Sequence, residues 1–126
     1  MKIEHLALSV NDLEGMKKFY QKYFNASVSE KYHNQKTGFS SYFLSFDSGS
    51  RLELTNKKHL SNRVADSFGY AHLAMAVGDE AAVDQMAEQF VADGFPLLNG
   101  PRRTGDGYYE AVIQDPEGNL IEITTE

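Results

Sequence analysis

Near the start of the chain stands Ile3-Glu4-His5-Leu6-Ala7-Leu8-Ser9-Val10-Asn11-Asp12, and sixty-seven positions later stands Tyr70-Ala71-His72-Leu73-Ala74-Met75-Ala76-Val77-Gly78-Asp79. Histidine, leucine, alanine, valine and aspartate return in the same order. Each half closes on a second matched segment: Gly49-Ser50-Arg51-Leu52-Glu53-Leu54-Thr55 pairs with Gly118-Asn119-Leu120-Ile121-Glu122-Ile123-Thr124 at an offset of sixty-nine. One short loop insertion accounts for the difference. A self-similar chain must build the same unit twice, which removes most alternative folds from consideration. The 126 residues read as one domain, 1–126, made of repeat one at about 1–60 and repeat two at about 68–126.

Each copy opens with a strand. Over residues 2–10, Leu6, Leu8 and Val10 alternate with His5, Ala7 and Ser9; over 70–77, Leu73, Met75 and Val77 alternate with His72, Ala74 and Ala76. Helix starts follow. Asn11 or Asp12 can cap a helix whose Leu13, Met16, Phe19, Tyr20, Tyr23 and Phe24 recur at helical spacing. Asp79 can cap a second, with Ala82, Val83, Met86 and Phe90 as its stripe and Gly94 as terminator. These aromatics read as core. Strand-like runs follow near 27–33, 39–47 and 50–55, and again near 95–99, 107–114 and 119–125, with Asp115-Pro116-Glu117-Gly118 as a turn. The expectation is an α+β fold: two tandem βαβββ modules whose curved mixed sheets carry helices outside.

Composition narrows the function classes. There is no cysteine, so disulfides, thiolate metal sites and cysteine nucleophiles are excluded. Twelve Lys and Arg against eighteen Asp and Glu give a formal charge of −6, which argues against a nucleic-acid partner. The longest apolar stretch, Leu73–Val77, is far short of a bilayer span, and the N-terminus has no signal-peptide pattern. A cytoplasmic location and no membrane partner are expected.

His5 and His72 occupy the same place in each copy, as do Glu53 and Glu122. Both glutamates lie within apolar strands, pointing away from Leu52 and Leu54 or from Ile121 and Ile123. A carboxylate there is costly to bury unpaired. Two imidazoles and two carboxylates converging on one divalent cation would satisfy all four residues. That donor set suits zinc, nickel, cobalt, manganese or ferrous iron, with zinc, nickel or cobalt expected first. Separate placement of the four on small pockets and a solvated sheet face is the plainer alternative.

At this point the chain resembles the vicinal oxygen chelate superfamily, the group of glyoxalases, bleomycin-resistance proteins and dioxygenases. The resemblance rests on His5 to Leu13 followed by Phe19-Tyr20, on Glu53-Leu54-Thr55, on His72-Leu73-Ala74, and on Asp115 to Glu122. The His, Glu, His, Glu order is most similar to small bacterial glyoxalase I proteins. This implies a metal-dependent lyase or isomerase with His5, Glu53, His72 and Glu122 as ligands. It implies that Glu122, leaving the metal, is the main proton-shuttling base, with Glu53 beside it. It also implies a small-molecule substrate contacted near Asn56, and a homodimer. Position 9 departs from the pattern: Ser9 stands where glyoxalase I places an arginine for a glutathione carboxylate, so glutathione is not expected as the thiol. Alternatives within the superfamily are an extradiol-type iron dioxygenase, which Glu53 would crowd, and a metal-free drug-binding protein of the bleomycin-resistance kind.

Weaker signals remain. Residues 56–63 are basic and read as a connector between copies or as an attractor for an anionic substrate. Gly100 to Gly107, with Arg102 and Arg103, reads as a lid or an ordinary surface loop, Arg103 being a candidate substrate contact. His33 and His59 read as surface residues. Tyr42, Phe43, Tyr108 and Tyr109 can line a cavity or simply pack.

Overall fold

Asp12 and Asp79 each start a helix after the opening strand of their half, and the two units of the fold grow from those caps. The computed structural model describes residues 1–126 and divides into Met1–Arg63 and Val64–Glu126. In the first unit β1 (His5–Ser9) leads to α1 (Leu13–Phe24). The Asp12 side chain accepts from the Gly15 amide at 2.9 Å, satisfying a donor the first turn would leave open. Leu13, Met16, Phe19, Tyr20 and Tyr23 form the buried stripe. Asn25 closes the helix in the left-handed conformation (φ 51°), its amide donating to Tyr20.

The expected strand at 27–33 is broken into β2 (Ser27–Val28) and β3 (Tyr32–His33), both antiparallel to β4 (Ser40–Ser45). Ser29 explains the break. Its amide donates to Phe43 O, while its hydroxyl, in place of its carbonyl, accepts from the Phe43 amide, each at 2.9 Å. With β5 (Arg51–Asn56), which pairs parallel to β1, the sheet runs β1-β5-β4-β2, with β3 also on β4. Leu44, Leu52 and Leu54 face α1 and are almost fully buried.

Glu14 ties α1 to β4. It accepts from Lys17 at 2.6 Å, Tyr42 at 2.8 Å and Lys31 at 3.2 Å. These donors, Lys17 foremost, draw its pKa from 4.5 down to about 2. Because the folded pKa is the lower one, the contribution to stability is complete above pH 4.5 and lost as pH falls through about 2. Glu14→Gln is therefore expected to lower Tm at neutral pH and to converge with wild type towards pH 2, read by thermal unfolding across that range. Tyr42, a cavity candidate in sequence, is instead part of this buried packing.

The second unit has β6 (His72–Gly78), α2 (Glu80–Ala92), β7 (Leu97–Arg103), β8 (Tyr109–Gln114) and β9 (Leu120–Thr125). Its sheet order, β6-β9-β8-β7, repeats that of the first unit, again with the leading and last strands parallel. Asp79 caps α2 through the Ala82 amide, and Gly94 (φ 87°) takes the chain out of it. Both units thus follow the βαβββ plan, the first with its second strand split.

Gly100 to Gly107 is not one continuous loop. Gly100–Arg103 belongs to β7, and Thr104 to Tyr108 is a tight hairpin closed by Thr104 N–H to Tyr108 O at 2.7 Å. Gly100 is required there, since a Cβ would stand 2.5 Å from Glu110 O on the neighbouring strand. Asp115 organises the β8–β9 turn by accepting from the amides of Glu117 and Asn119 and from the Asn119 side chain. No helix is long and apolar enough to cross a membrane.

Candidate metal centre

The parallel pairing that closes each sheet brings one histidine to one glutamate. In the first unit Ala7 lies opposite Glu53, so His5, two residues earlier on the same face, is Glu53's diagonal neighbour. In the second, Ala74 lies opposite Glu122 and His72 occupies the same diagonal. His5 Nε2 is 3.8 Å from Glu53 Oε2, and His72 Nε2 is 3.1 Å from Glu122 Oε2. The carboxylates are mostly shielded, at 16% and 22% exposure, while both imidazoles are 40% exposed. Neither glutamate sits on a freely solvated face.

The four candidate ligands therefore arrive as two His–Glu pairs. No group of three or more His, Asp or Glu side chains is gathered closely enough to hold a metal ion. Each pair fits as half of a donor set. An imidazole nitrogen and a carboxylate oxygen, each about 2.1 Å from one ion, stand roughly 3.0–3.4 Å apart. The 3.1 Å pair meets that span, and the 3.8 Å pair reaches it by a small side-chain rotation. Neutral imidazole with carboxylate suits the first-row divalent ions.

The first pair has a support that sequence reading missed. His5 Nδ1 stands 2.5 Å from Glu4 Oε2. An ionised carboxylate only accepts, so the ring donates from Nδ1, which leaves Nε2, on the Glu53 side, as the nitrogen placed to meet an ion. Glu4 is also bound by Arg51 through Nε at 2.8 Å and Nη2. The His5 contact first, then Arg51, holds the Glu4 carboxyl below its usual range. Phe43 completes the shelf: the His5 ring meets it edge-on at 5.3 Å, and the Arg51 guanidinium lies 4.2 Å from its centroid. Strand alternation would put Glu4 on the face opposite His5, but β1 begins only at His5, so alternation does not bind Glu4. The second pair lacks this shelf, since Ala71 precedes His72 and Val112 lies opposite Glu122.

The three expected substrate contacts are placed as follows. Ser9 shares the face of His5, its hydroxyl 3.4 Å from that of Thr55. The Asn56 amide donates to Val10 O at 2.8 Å and to Asn11 O at 3.1 Å, pinning the β1–α1 junction. Arg103 pairs with Glu80, donates to Gly107 O at 3.1 Å and lies over the Tyr109 ring, so its charge is already answered locally. Tyr109 itself donates to Asp84 at 2.7 Å.

Comparison with known proteins agrees with this architecture. YqjT of Bacillus subtilis (strain 168), an uncharacterized protein, is 26% identical over 128 residues, covering 96% of each chain. The trypanothione-dependent glyoxalase I of Leishmania major superimposes with a TM-score of 0.81 at 25% identity, over 100% of this chain and 87% of that one. Lactoylglutathione lyase from Agrobacterium tumefaciens gives a TM-score of 0.72 at 25% identity, over 98% and 92%. The sequence model of one superfamily matches residues 2–123, nearly the whole chain. With the duplicated βαβββ plan and its repeated His–Glu diagonals, this makes the chain a member of the Glyoxalase/Bleomycin resistance protein/Dioxygenase superfamily.

Proposed function

We propose that the protein is a metal-dependent lyase or isomerase that moves a proton within a small carbonyl or thiol-adduct substrate. The observation that carries this reading is the identical register of His5–Glu53 and His72–Glu122 in two separately folded sheets. Packing alone gives no reason to keep a carboxylate beside an imidazole at both places. The likeness to glyoxalase I and lactoylglutathione lyase supports the reaction class.

When bound, a zinc, nickel, cobalt, manganese or ferrous ion would supply Lewis acidity towards a substrate oxygen. The chain's own residues do the rest. His5 and His72 offer Nε2, while Glu53 and Glu122 balance the ion's charge. Glu122, the more exposed of the two carboxylates and the one whose histidine lacks a Glu4-like brace, takes a proton from one substrate carbon and returns it to the next. A complete four-ligand set needs both kinds of pair, from one chain or from the two chains of a homodimer. Ser9 offers no guanidinium to a glutathione carboxylate, so the thiol is a different one. The setting is the cytoplasm.

Elemental analysis of dialysed protein tests the reading. About one divalent transition ion per chain is expected, reduced in Glu122→Gln, followed by turnover of hemithioacetals from a panel of thiols. No tight binding of any of these ions overturns it and favours the metal-free binding protein. Glu4→Ala is expected to weaken metal affinity roughly ten- to a hundredfold, read by competition with a chelating dye, because the His5 ring loses its orienting acceptor.

A further inference from the structure

A second feature of the first unit lies beyond the His–Glu pair. The β3–β4 turn and the segment leaving β5 enclose an open depression of about 710 Å³, walled by Tyr32 and Phe39 and rimmed by Lys36, Lys57, Lys58 and His59. Segments 31–40 and 56–63 together hold five Lys and Arg and no Asp or Glu, in a chain of net charge −6. Lys36, Lys57 and Lys58 have no carboxylate within ion-pair distance, whereas Lys17 and Lys31 of the same unit both pair with Glu14. Three unneutralised ammonium groups around one hollow repel each other unless an anion joins them.

The surroundings are shaped to hold them there. The Lys58 stem crosses Gly38 so closely that a Cβ at Gly38 would stand 2.9 Å from Lys58 Cε. His59 adopts the left-handed conformation (φ 66°), uncommon for a side-chain-bearing residue, and so turns the chain around the hollow. Tyr32 and Phe39 face each other with ring centroids 6.1 Å apart, leaving Tyr32 half exposed. Pairing also settles the side of the sheet. Tyr32 lies opposite Ser41, and Phe43, two residues on, lies opposite Glu53, so the aromatic wall is on the Glu53 face. Lys57 is four residues past Glu53, about 13 Å along the strand.

We infer that this basic, aromatic-walled pocket binds the anionic end of a small molecule, a carboxylate or phosphate joined to a flat or apolar body. That it anchors a substrate bound at the ion held by His5 and Glu53 rests on the lyase reading; the pocket itself does not. Lysine ammonium groups act as point charges on either anion, and the rings contribute stacking and apolar contact.

Amide chemical-shift titration with phenyl phosphate, benzoate and neutral benzyl alcohol tests the pocket without turnover or added metal. Saturable shifts at Thr37–Phe39 and Lys57–His59 are expected for the anions and not for the alcohol. The triple variant Lys36→Ala, Lys57→Ala, Lys58→Ala, all exposed positions, is expected to weaken binding at least about tenfold. Tyr32→Ala should weaken phenyl phosphate while leaving inorganic phosphate unchanged. Binding of only one anion identifies phosphate or carboxylate as the group recognised. Absence of saturable shifts with both, or binding unaltered in the triple variant, overturns the inference and leaves the metal reading standing. Absence of metal binding, conversely, leaves the pocket standing.

Discussion

Under the proposed lyase function, Glu122→Gln is expected to lower kcat per bound ion roughly a hundred- to ten-thousandfold on any hemithioacetal that is turned over, the range lost with a positioned general base. KM should change far less. Glutamine keeps the length and one oxygen of the side chain, so substrate binding survives while proton acceptance does not. Both variants are expected to hold less metal, but Glu53→Gln should keep most of its kcat per bound ion. The contrast comes from the two surroundings. The Glu53 pair is braced: His5 is held by Glu4, Glu4 by Arg51, and both His5 and Arg51 lie against Phe43. The Glu122 pair has Ala71 and Val112 in the corresponding places. A carboxylate that must alternate between holding an ion and holding a proton needs the less braced position. Steady-state kinetics of the two variants, each with its metal content measured, decides the matter. Equal losses would remove the asymmetry from the mechanism, and near-wild-type turnover in Glu122→Gln would remove Glu122 as the base.

The repeat alone pairs the residues of the candidate site. A histidine and a glutamate in matched strands give their own face by alternation, and the two aspartate caps mark where the helices begin. What alternation cannot give is the partner strand. That β1 pairs with β5, and not with its chain neighbour β2, is decided by tertiary packing, and only this pairing turns two residues forty-eight apart into the 3.8 Å diagonal His5–Glu53. Glu4 was hidden for a related reason: it precedes the strand whose alternation would have excluded it.

Two misread segments have equally local causes. Gly100 and Pro101 look like a loop, yet they lie within β7, because that strand is at the sheet edge, where proline's missing amide costs no ladder bond. Ser29 looks like an ordinary strand residue, yet its hydroxyl takes over a backbone acceptor's task and lets the chain leave the sheet. The basic pocket was half legible. Residues 56–63 stood out by charge, but Lys36 and the two rings join them only through the β4–β5 pairing of Ser40 with Asn56.

Phe90→Ala is expected to remove about 3–5 kcal/mol of stability, the usual loss when a fully buried aromatic leaves a cavity. Phe90 is completely buried in the last turn of α2, edge-on to Phe95 at 5.8 Å, and α2 covers all four strands of its sheet. A domain of this length should lose on the order of 10–20 °C in Tm. Val91→Ala, one residue along the same helix but 54% exposed, is the control and should stay within about 0.5 kcal/mol. If helix propensity governed α2, alanine would be at least neutral at both positions. Burial therefore predicts opposite outcomes for neighbouring residues, and chemical denaturation separates them. The result bears on the candidate metal centre as well. Ile121 and Ile123, fully buried on the helix-covered face, flank Glu122 and fix the direction of its carboxylate. Well below its lowered Tm, Phe90→Ala should still bind metal, since the His72–Glu122 diagonal is set by strand register and not by the helix. Loss of metal affinity in the folded variant would instead show that the helix layer positions the pair.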